Sequence, residues 1–222
     1  MSSPLGKHPL AVRPIAFLSD IHGHLAPLEA VLKALDRFDV ERVVVAGDLV
    51  LGGDEPLEVW RLLQRAGALC CRGVSDTALV SVDTSDLEPS DDEEAARLER
   101  FLKTRETLGE LVLEQIRRLP LSRRLPMVDG SELLVTHGSP ADPMSEITHT
   151  TTDEELLGLL DDDPADVVIV GAAHVPFLRA VDDTRVVGLG SVGEAPEGGV
   201  AHFAIIRPRM DGAEILLEHV TL

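Results

Sequence analysis

The chain has 222 residues, of which 44% are hydrophobic, and its formal net charge is −19. This length and composition fit one globular domain with a sizeable core and exclude a disordered chain. The negative charge argues against binding a nucleic-acid backbone over a broad surface, and no apolar run is long enough to cross a bilayer.

The start of the chain and the two cysteines bear on cellular location. The first 14 residues contain three prolines and lack the apolar core of a signal peptide. We therefore predict that residues 1–13 form a flexible N-terminal tail, that residues 14–222 form a single domain, and that the protein is cytoplasmic. Cys70 and Cys71 are adjacent in sequence, where cysteines seldom bridge, so we expect no disulfide framework.

The N-terminal half alternates predicted strands and helices. Buried strands are predicted over 15–19, 42–46 and 68–71, and helices over 27–38 and from Pro56 onwards. This order predicts parallel strands joined by crossover helices. An aspartate follows each strand (Asp20, Asp48 and Asp76), at the sheet edge where such folds carry their functional residues.

The C-terminal half is richer in strands. One or two helices over 91–119 precede a hairpin that turns at Asp129-Gly130 and ends at Thr136. Beyond a short helix over 153–160, further strands are predicted over 167–170, 177–181, 185–189, 201–206 and 214–220. The whole pattern predicts an α/β protein, a four-layer α/β/β/α sandwich in which two mixed β-sheets are flanked by helices.

Five predicted strand-end loops carry carboxylates, imidazoles and glycines. They are Asp20-Ile21-His22, Gly47-Asp48, Gly73-Val74-Ser75-Asp76, His137-Gly138 and Gly171-Ala172-Ala173-His174. Any one of them alone is more typical of a helix cap or a surface histidine. Together, each after an apolar strand, they favour a centre for a divalent transition metal such as Mn, Fe or Zn.

These ordered motifs resemble those of the calcineurin-like metallophosphoesterase family, most closely its small bacterial phosphodiesterase branch. The family sequence D-x-H, G-D, G-N-H-D, H-G and G-H-T-H is matched over about residues 15–206. The resemblance implies a phosphoesterase in which two metal ions activate a water for attack at phosphorus. It implies that Asp20, His22 and His174 bind the first metal, that Asp48 bridges both metals and that His137 binds the second.

The chain departs from the family pattern at three positions. Val74 and Ala172 stand where the family has an asparagine and a histidine that bind the second metal, and Ser75 stands where it has the catalytic histidine. Valine and alanine side chains have no donor atom and cannot coordinate a metal. We therefore expect one divalent ion rather than two.

Three functions remain open at this point. The protein could be a mononuclear or weak phosphoester hydrolase, a pseudoenzyme that binds metal or phosphate as a regulatory module, or a partner in protein interactions. The expected partners are a phosphate-containing small molecule or a protein, with neither a nucleic-acid backbone nor a membrane. The acidic stretch 83–94 could be a solvated loop, or it could fold over the site and repel anions.

If the protein is an enzyme, further residues are candidates for its chemistry. Asp48, His24 and Asp76 are the candidate catalytic residues, and Ser75 and Ser191 are the candidate substrate-binding residues. Structural alternatives exist for several of them. His24 could be a surface imidazole, Asp76 could cap a helix, and Ser191 could belong to a plain turn.

Overall fold

The computed structural model describes residues 10–85 and 87–222, which form two five-stranded β-sheets and the helices that flank them. The first sheet contains, in spatial order, Glu214–Thr221 (β10), Val200–Arg207 (β9), Ile15–Leu18 (β1), Arg42–Val45 (β2) and Leu69–Cys70 (β3). Strands β1, β2 and β3 are parallel, whereas β9 is antiparallel to both β1 and β10. The sheet is therefore mixed.

The second sheet is built in the same way. Its spatial order is Ser122–Pro126 (β4), Glu132–Thr136 (β5), Val167–Val170 (β6), Thr184–Leu189 (β8) and Pro176–Val181 (β7). Strands β5, β6 and β8 are parallel, and β4 and β7 form antiparallel edges.

The helices cover the outer faces of the two sheets. They are Leu25–Ala34 (α1), Pro56–Arg65 (α2), Val74–Ser81 (α3), Asp92–Arg117 (α4) and Asp153–Leu160 (α5). Apolar side chains of α1 to α4 pack on the first sheet, and those of α5 pack on the second. A third apolar layer lies between the sheets. This arrangement confirms the predicted four-layer sandwich.

The strand β1 illustrates why the central strands are apolar throughout. Side chains alternate between the two faces of a strand. Ala16 and Leu18 contact the layer under the helices, while Ile15 and Phe17 contact the layer between the sheets. All four side chains are fully buried, so no polar position is left to mark an exposed face.

Two helices begin at other residues than predicted, and one helix is interrupted. Helix α1 begins at Leu25 rather than Pro27, because proline is tolerated in the first turn, where N–H groups have no partner within the helix. Helix α3 begins at Val74, so Asp76 lies inside its first turn. Gly109, with φ 69° and ψ 165°, interrupts α4.

The predicted N-terminal tail falls mostly outside the described residues, which begin at Leu10. Within its described part, Ala11 is buried and forms a β-bridge with Met127. Cys70 and Cys71 are both buried and both unpaired. In the parts of the chain that the structure describes, no helix has the length and apolar character needed to cross a membrane.

The predicted motif loops meet at one end of the sandwich, where the central parallel strands of both sheets end. Parallel strands of one sheet end on the same side, and the apolar layer between the sheets brings their two edges together. Backbone hydrogen bonds connect the loops directly. The amide of Asp20 donates to the carbonyl of Gly47 at 3.1 Å, and the amide of Val192, after β8, donates to the carbonyl of Ser19 at 3.1 Å.

Two glycines allow a test of how strictly this junction is packed. Gly47, after β2, has φ 137°, and a Cβ there would lie 2.6 Å from the Cα of Gly73 and 3.0 Å from Nδ1 of His137. Gly67, after α2, has φ 63°, and a Cβ there would meet no atom within 4 Å. Both positions disfavour a side chain by backbone conformation, but only Gly47 lacks the space for one.

We expect Gly47→Ala to lower the free energy of unfolding by about 1 to 3 kcal/mol more than Gly67→Ala does. Each substitution introduces left-handed strain, and only the first also forces backbone atoms apart. Urea denaturation of the two variants measures the difference. Equal losses of stability would contradict the account of a tightly packed junction.

Candidate metal centre

The structure brings together all five side chains that the sequence assigns to metal ions. They form two groups that could each hold a metal ion: Asp20, His22 and His174, the first ligand group, and Asp20, Asp48 and His137, the second ligand group. Within each group the candidate ligand atoms lie within 4.8 Å of one another.

The two ligand groups share Asp20, whereas the resemblance implies that Asp48 is the bridge. Oδ1 of Asp20 lies 3.9 Å from Nε2 of His137, so the second ligand group is not reduced to Asp48 and His137. Asp48 also lies between the groups, because its Oδ2 is 3.4 Å from Nε2 of His137 and 3.9 Å from Nε2 of His22.

The first ligand group has the dimensions of a site for one ion. Oδ1 of Asp20 lies 3.2 Å from Nε2 of His174 and 3.6 Å from Nε2 of His22, and the two Nε2 atoms are 3.3 Å apart. An ion with tetrahedral bonds of about 2.1 Å separates its ligand atoms by about 3.4 Å. The three separations bracket that value.

Asp20 is the residue of the site whose burial costs the most free energy without a cation. It is fully buried, and neither of its carboxylate oxygens has a hydrogen-bond partner among the described residues. A buried carboxylate without a partner is costly, and a cation removes that cost. The residues present therefore fit a divalent metal ion.

The ionisation of these residues reflects their mutual contacts. Burial alone would raise the pKa of Asp20, but the imidazoles of His174 and His22 hold that pKa below its ordinary range. Burial alone would lower the pKa of His22, but Asp20 and then Asp48 raise it to about 9. Contact with Asp20 likewise raises the pKa of His174, and Asp48 raises that of His137 against its burial.

The backbone at the site is held in an uncommon conformation. Left-handed φ angles occur at Asp20 (55°), His22 (50°), Asp48 (53°), Ala172 (59°) and His174 (54°). Such angles are unfavourable for residues other than glycine and cluster at functional sites, where the surrounding structure enforces them. Here they turn four of the five predicted metal-binding residues towards one point.

Two glycines of the motifs let the loops approach the carboxylates. A Cβ at Gly73 would lie 2.1 Å from Oδ1 of Asp48. A Cβ at Gly171 would lie 2.1 Å from Oγ of Ser19 and 3.1 Å from Oδ2 of Asp20. Any side chain at either position would displace a candidate ligand, which explains the glycines in these two motifs.

Asp76, a predicted catalytic residue, lies behind the site. It is fully buried, its Oδ1 accepts a hydrogen bond from the amide of Leu49, and its Oδ2 accepts one from the amide of Gly73, both at 3.0 Å. Burial and the nearby carboxylate of Asp48 raise its pKa to about 6. These contacts favour the structural alternative, in which Asp76 caps a helix: it accepts from the amide of Gly73, the N-cap residue of α3, and it also holds the loop of Asp48 through the amide of Leu49.

The hydroxyl groups of the two predicted substrate-binding serines are both buried, and that of Ser191 is hydrogen-bonded to the backbone. Oγ of Ser191 is buried, donates to the carbonyl of Asp20 at 2.8 Å and accepts from the amide of Glu194 at 2.7 Å. Oγ of Ser75 is buried and has no hydrogen-bond partner in the described parts of the chain, while the Ser75 amide donates to Oδ1 of Asp48 at 2.9 Å. Ser191 therefore supports Asp20, and Ser75 supports Asp48.

Sequence reasoning missed Glu194, which lies in the turn after β8. Its Oε2 is 3.9 Å from Nε2 of His22, and its Oε1 is 3.7 Å from Nε2 of His24, the partly exposed third catalytic candidate. A glutamate three residues after Ser191 matches no motif. Only the packing of the turn against the Asp20 loop reveals it.

The acidic stretch 83–94 makes local contacts in its described part. The Asp83 carboxylate accepts from the amide and hydroxyl of Ser85, and the Asp91 side chain caps α4 by accepting from the amide of Glu94. No described contact joins it to the metal-binding residues. Its proposed folding over the site stays a prediction.

Comparison with known proteins agrees with the fold. Residues 14–210 match the calcineurin-like phosphoesterase superfamily domain. The chain belongs to this superfamily of metal-dependent enzymes.

Individual relatives are distant. An uncharacterised protein of Methanocaldococcus jannaschii, MJ0912, is 25% identical over 181 residues, which cover 80% of this chain and 69% of that protein. The hypothetical protein PH1004 of Pyrococcus horikoshii has a similar structure, with a TM-score of 0.77 and 20% identity over 94% of this chain and 87% of its own. A metallophosphoesterase of Sphaerobacter thermophilus also has a similar structure, with a TM-score of 0.72 and 24% identity over 93% of this chain and 88% of its own. At these identities, the two structures establish the fold alone.

The raised pKa of His22, about 9, predicts that metal binding releases protons. Below that pH the ion-free imidazole is protonated, so an ion must displace a proton before Nε2 can coordinate it. We expect the affinity for Zn²⁺ to rise between about pH 6 and 8, by up to tenfold per pH unit for each proton released. Titration calorimetry in two buffers of different ionisation enthalpy counts the protons. An affinity that does not change with pH would contradict this assignment.

Proposed function

We propose that this protein hydrolyses a phosphoester with the help of one divalent metal ion bound by the first ligand group, Asp20, His22 and His174. The observation that carries the proposal is the Asp20 carboxylate, which is fully buried, accepts no hydrogen bond from the described residues, and lies 3.2 and 3.6 Å from the Nε2 atoms of His174 and His22. When bound, such an ion activates water and neutralises charge on the phosphoryl oxygens.

In this proposal Asp48 accepts a proton from the attacking water. Its Oδ2 lies 3.9 Å from Nε2 of His22, at the side of the ligand group, and its other oxygen is fixed by the amide of Ser75. Contact with His137 lowers the pKa of Asp48 against the effect of burial, so its carboxylate is ionised at neutral pH and is free of a proton when the water arrives.

The substrate is proposed to carry a good leaving group. Ser75 occupies the position where the family has its catalytic histidine, and a serine hydroxyl is too weak an acid to protonate a departing alkoxide. The partly exposed imidazole of His24 is proposed to take that role. We therefore propose a small phosphate-containing substrate with an acidic leaving group, acted on in the cytoplasm.

A second candidate function is a metal- or phosphate-binding regulatory or protein-interaction module without turnover. The absence of donor atoms at Val74 and Ala172 favours it, since the second ligand group then lacks two ligands that the family has at these positions. The two candidates share the ion and differ in whether a bound phosphoester is hydrolysed.

Turnover of bis-p-nitrophenyl phosphate with Mn²⁺ distinguishes the two functions. We expect wild-type activity that depends on the ion, and a loss of at least about 100-fold in kcat for Asp48→Asn, because the proton acceptor is removed. Asp182→Asn is the matched control. Asp182 also has a left-handed φ, 48° against 53° for Asp48, but lies in the exposed turn between β7 and β8.

The control variant should hydrolyse the substrate at the wild-type rate. A wild-type protein that binds Mn²⁺ yet releases no p-nitrophenol would contradict the hydrolase proposal and favour the binding module. Equal activity of Asp48→Asn and Asp182→Asn would contradict the role given to Asp48.

A further inference from the structure

We propose that Glu194 is a further metal ligand, which completes the first ligand group as a set of two carboxylates and two imidazoles. The proposal rests on the metal dependence proposed above, but not on hydrolysis. No motif of the chain indicates this residue, which lies in the turn between β8 and β9.

The carboxylate of Glu194 lies beside the nitrogen of His22 that the ion would bind, just outside the three residues whose ligand atoms are all within 4.8 Å of one another. Oε2 of Glu194 lies 3.9 Å from Nε2 of His22, the same atom that is 3.6 Å from Oδ1 of Asp20. The Glu194 side chain is 42% exposed, whereas that of Asp20 is 0% exposed. Glu194 thus lies on the solvent side of the group, and Asp20 on the interior side.

The main chain of Glu194 is tied to two other members of the group. Its amide donates to Oγ of Ser191 at 2.7 Å, and that hydroxyl donates to the carbonyl of Asp20 at 2.8 Å. Nδ1 of His174 lies 3.2 Å from the Glu194 carbonyl, to which it can donate a hydrogen bond. That bond leaves Nε2 of His174 free for an ion, and metal-binding histidines commonly donate their other ring N–H in this way.

Glycines make room for the carboxylate. A Cβ at Gly52 would lie 2.8 Å from Oε1 of Glu194. A Cβ at Gly193 would lie 2.2 Å from the carbonyl of Ile21 and 2.7 Å from Cδ2 of His24. The turn can therefore lie against the loop of His22 and His24 only because both positions lack a side chain.

The charges favour a divalent ion at this place. Two carboxylates and two neutral imidazoles carry two negative charges, which a divalent cation balances. Four such ligands satisfy a tetrahedral ion, the coordination that Zn²⁺ prefers. Because Glu194 is the exposed member of the set, it is also the ligand that an incoming phosphate can displace.

The test compares Glu194→Gln with Glu197→Gln. Glutamine keeps the shape of glutamate and removes the charge. Glu197 is the control because it lies in the same turn but contacts His202, with Oε1 of Glu197 2.7 Å from Nε2 of His202. Competition with a chromophoric chelator measures the affinity for Zn²⁺, and the absorption spectrum of bound Co²⁺ reports the number and kind of its ligands. Circular dichroism verifies that both variants fold.

We expect Glu194→Gln to weaken Zn²⁺ binding by at least about tenfold and to change the Co²⁺ spectrum, and Glu197→Gln to do neither. Unchanged affinity in Glu194→Gln would overturn the proposal. Weaker binding with an unchanged Co²⁺ spectrum would also overturn it, since Glu194 would then act through its charge alone.

The outcome is separate from that of the hydrolase proposal. If the protein binds the ion but hydrolyses no substrate, the hydrolase proposal is overturned. The affinity for Zn²⁺ and the Co²⁺ spectrum still decide whether Glu194 is a ligand. A wild-type protein that binds no ion would overturn both.

Discussion

The structure depends above all on one buried carboxylate. Asp20 is removed from water, has no hydrogen-bond partner for either side-chain oxygen among the described residues, and lies within 3.9 Å of imidazole nitrogens from three different loops. A charge in that position is tolerated only if positive charge faces it. Protonated histidines can provide that charge, and a metal ion provides it with better geometry.

The rest of the fold holds that carboxylate and its partners in place. The apolar layer between the sheets joins their two edges, and the left-handed residues of the loops aim the side chains at one point. Asp76 and Ser191, both fully buried, connect neighbouring loops through backbone groups. Because each of these contacts is short and enclosed, the ligand geometry is set by packing and not by the ligands themselves.

The strands and the sandwich could be predicted from the sequence, and so could the convergence of the five candidate ligands, because each of these residues lies in a loop that follows a run of buried apolar positions. The sequence cannot predict the contacts that only tertiary packing creates. Asp76 carries the same local signal as Asp48, yet its oxygens are taken by amides of two other segments. Glu194 carries no signal at all, since its place beside His22 depends on how the turn after β8 lies on the loop after β1.

The central claim is that one ion is held by Asp20, His22 and His174. Its most direct test is to load the protein with Mn²⁺, remove the excess, and count the ions per chain by elemental analysis, with Asp20→Asn as the comparison. The account predicts about one tightly held ion in the wild type and none in the variant. Two retained ions in the wild type, or an ion retained by Asp20→Asn, would contradict it.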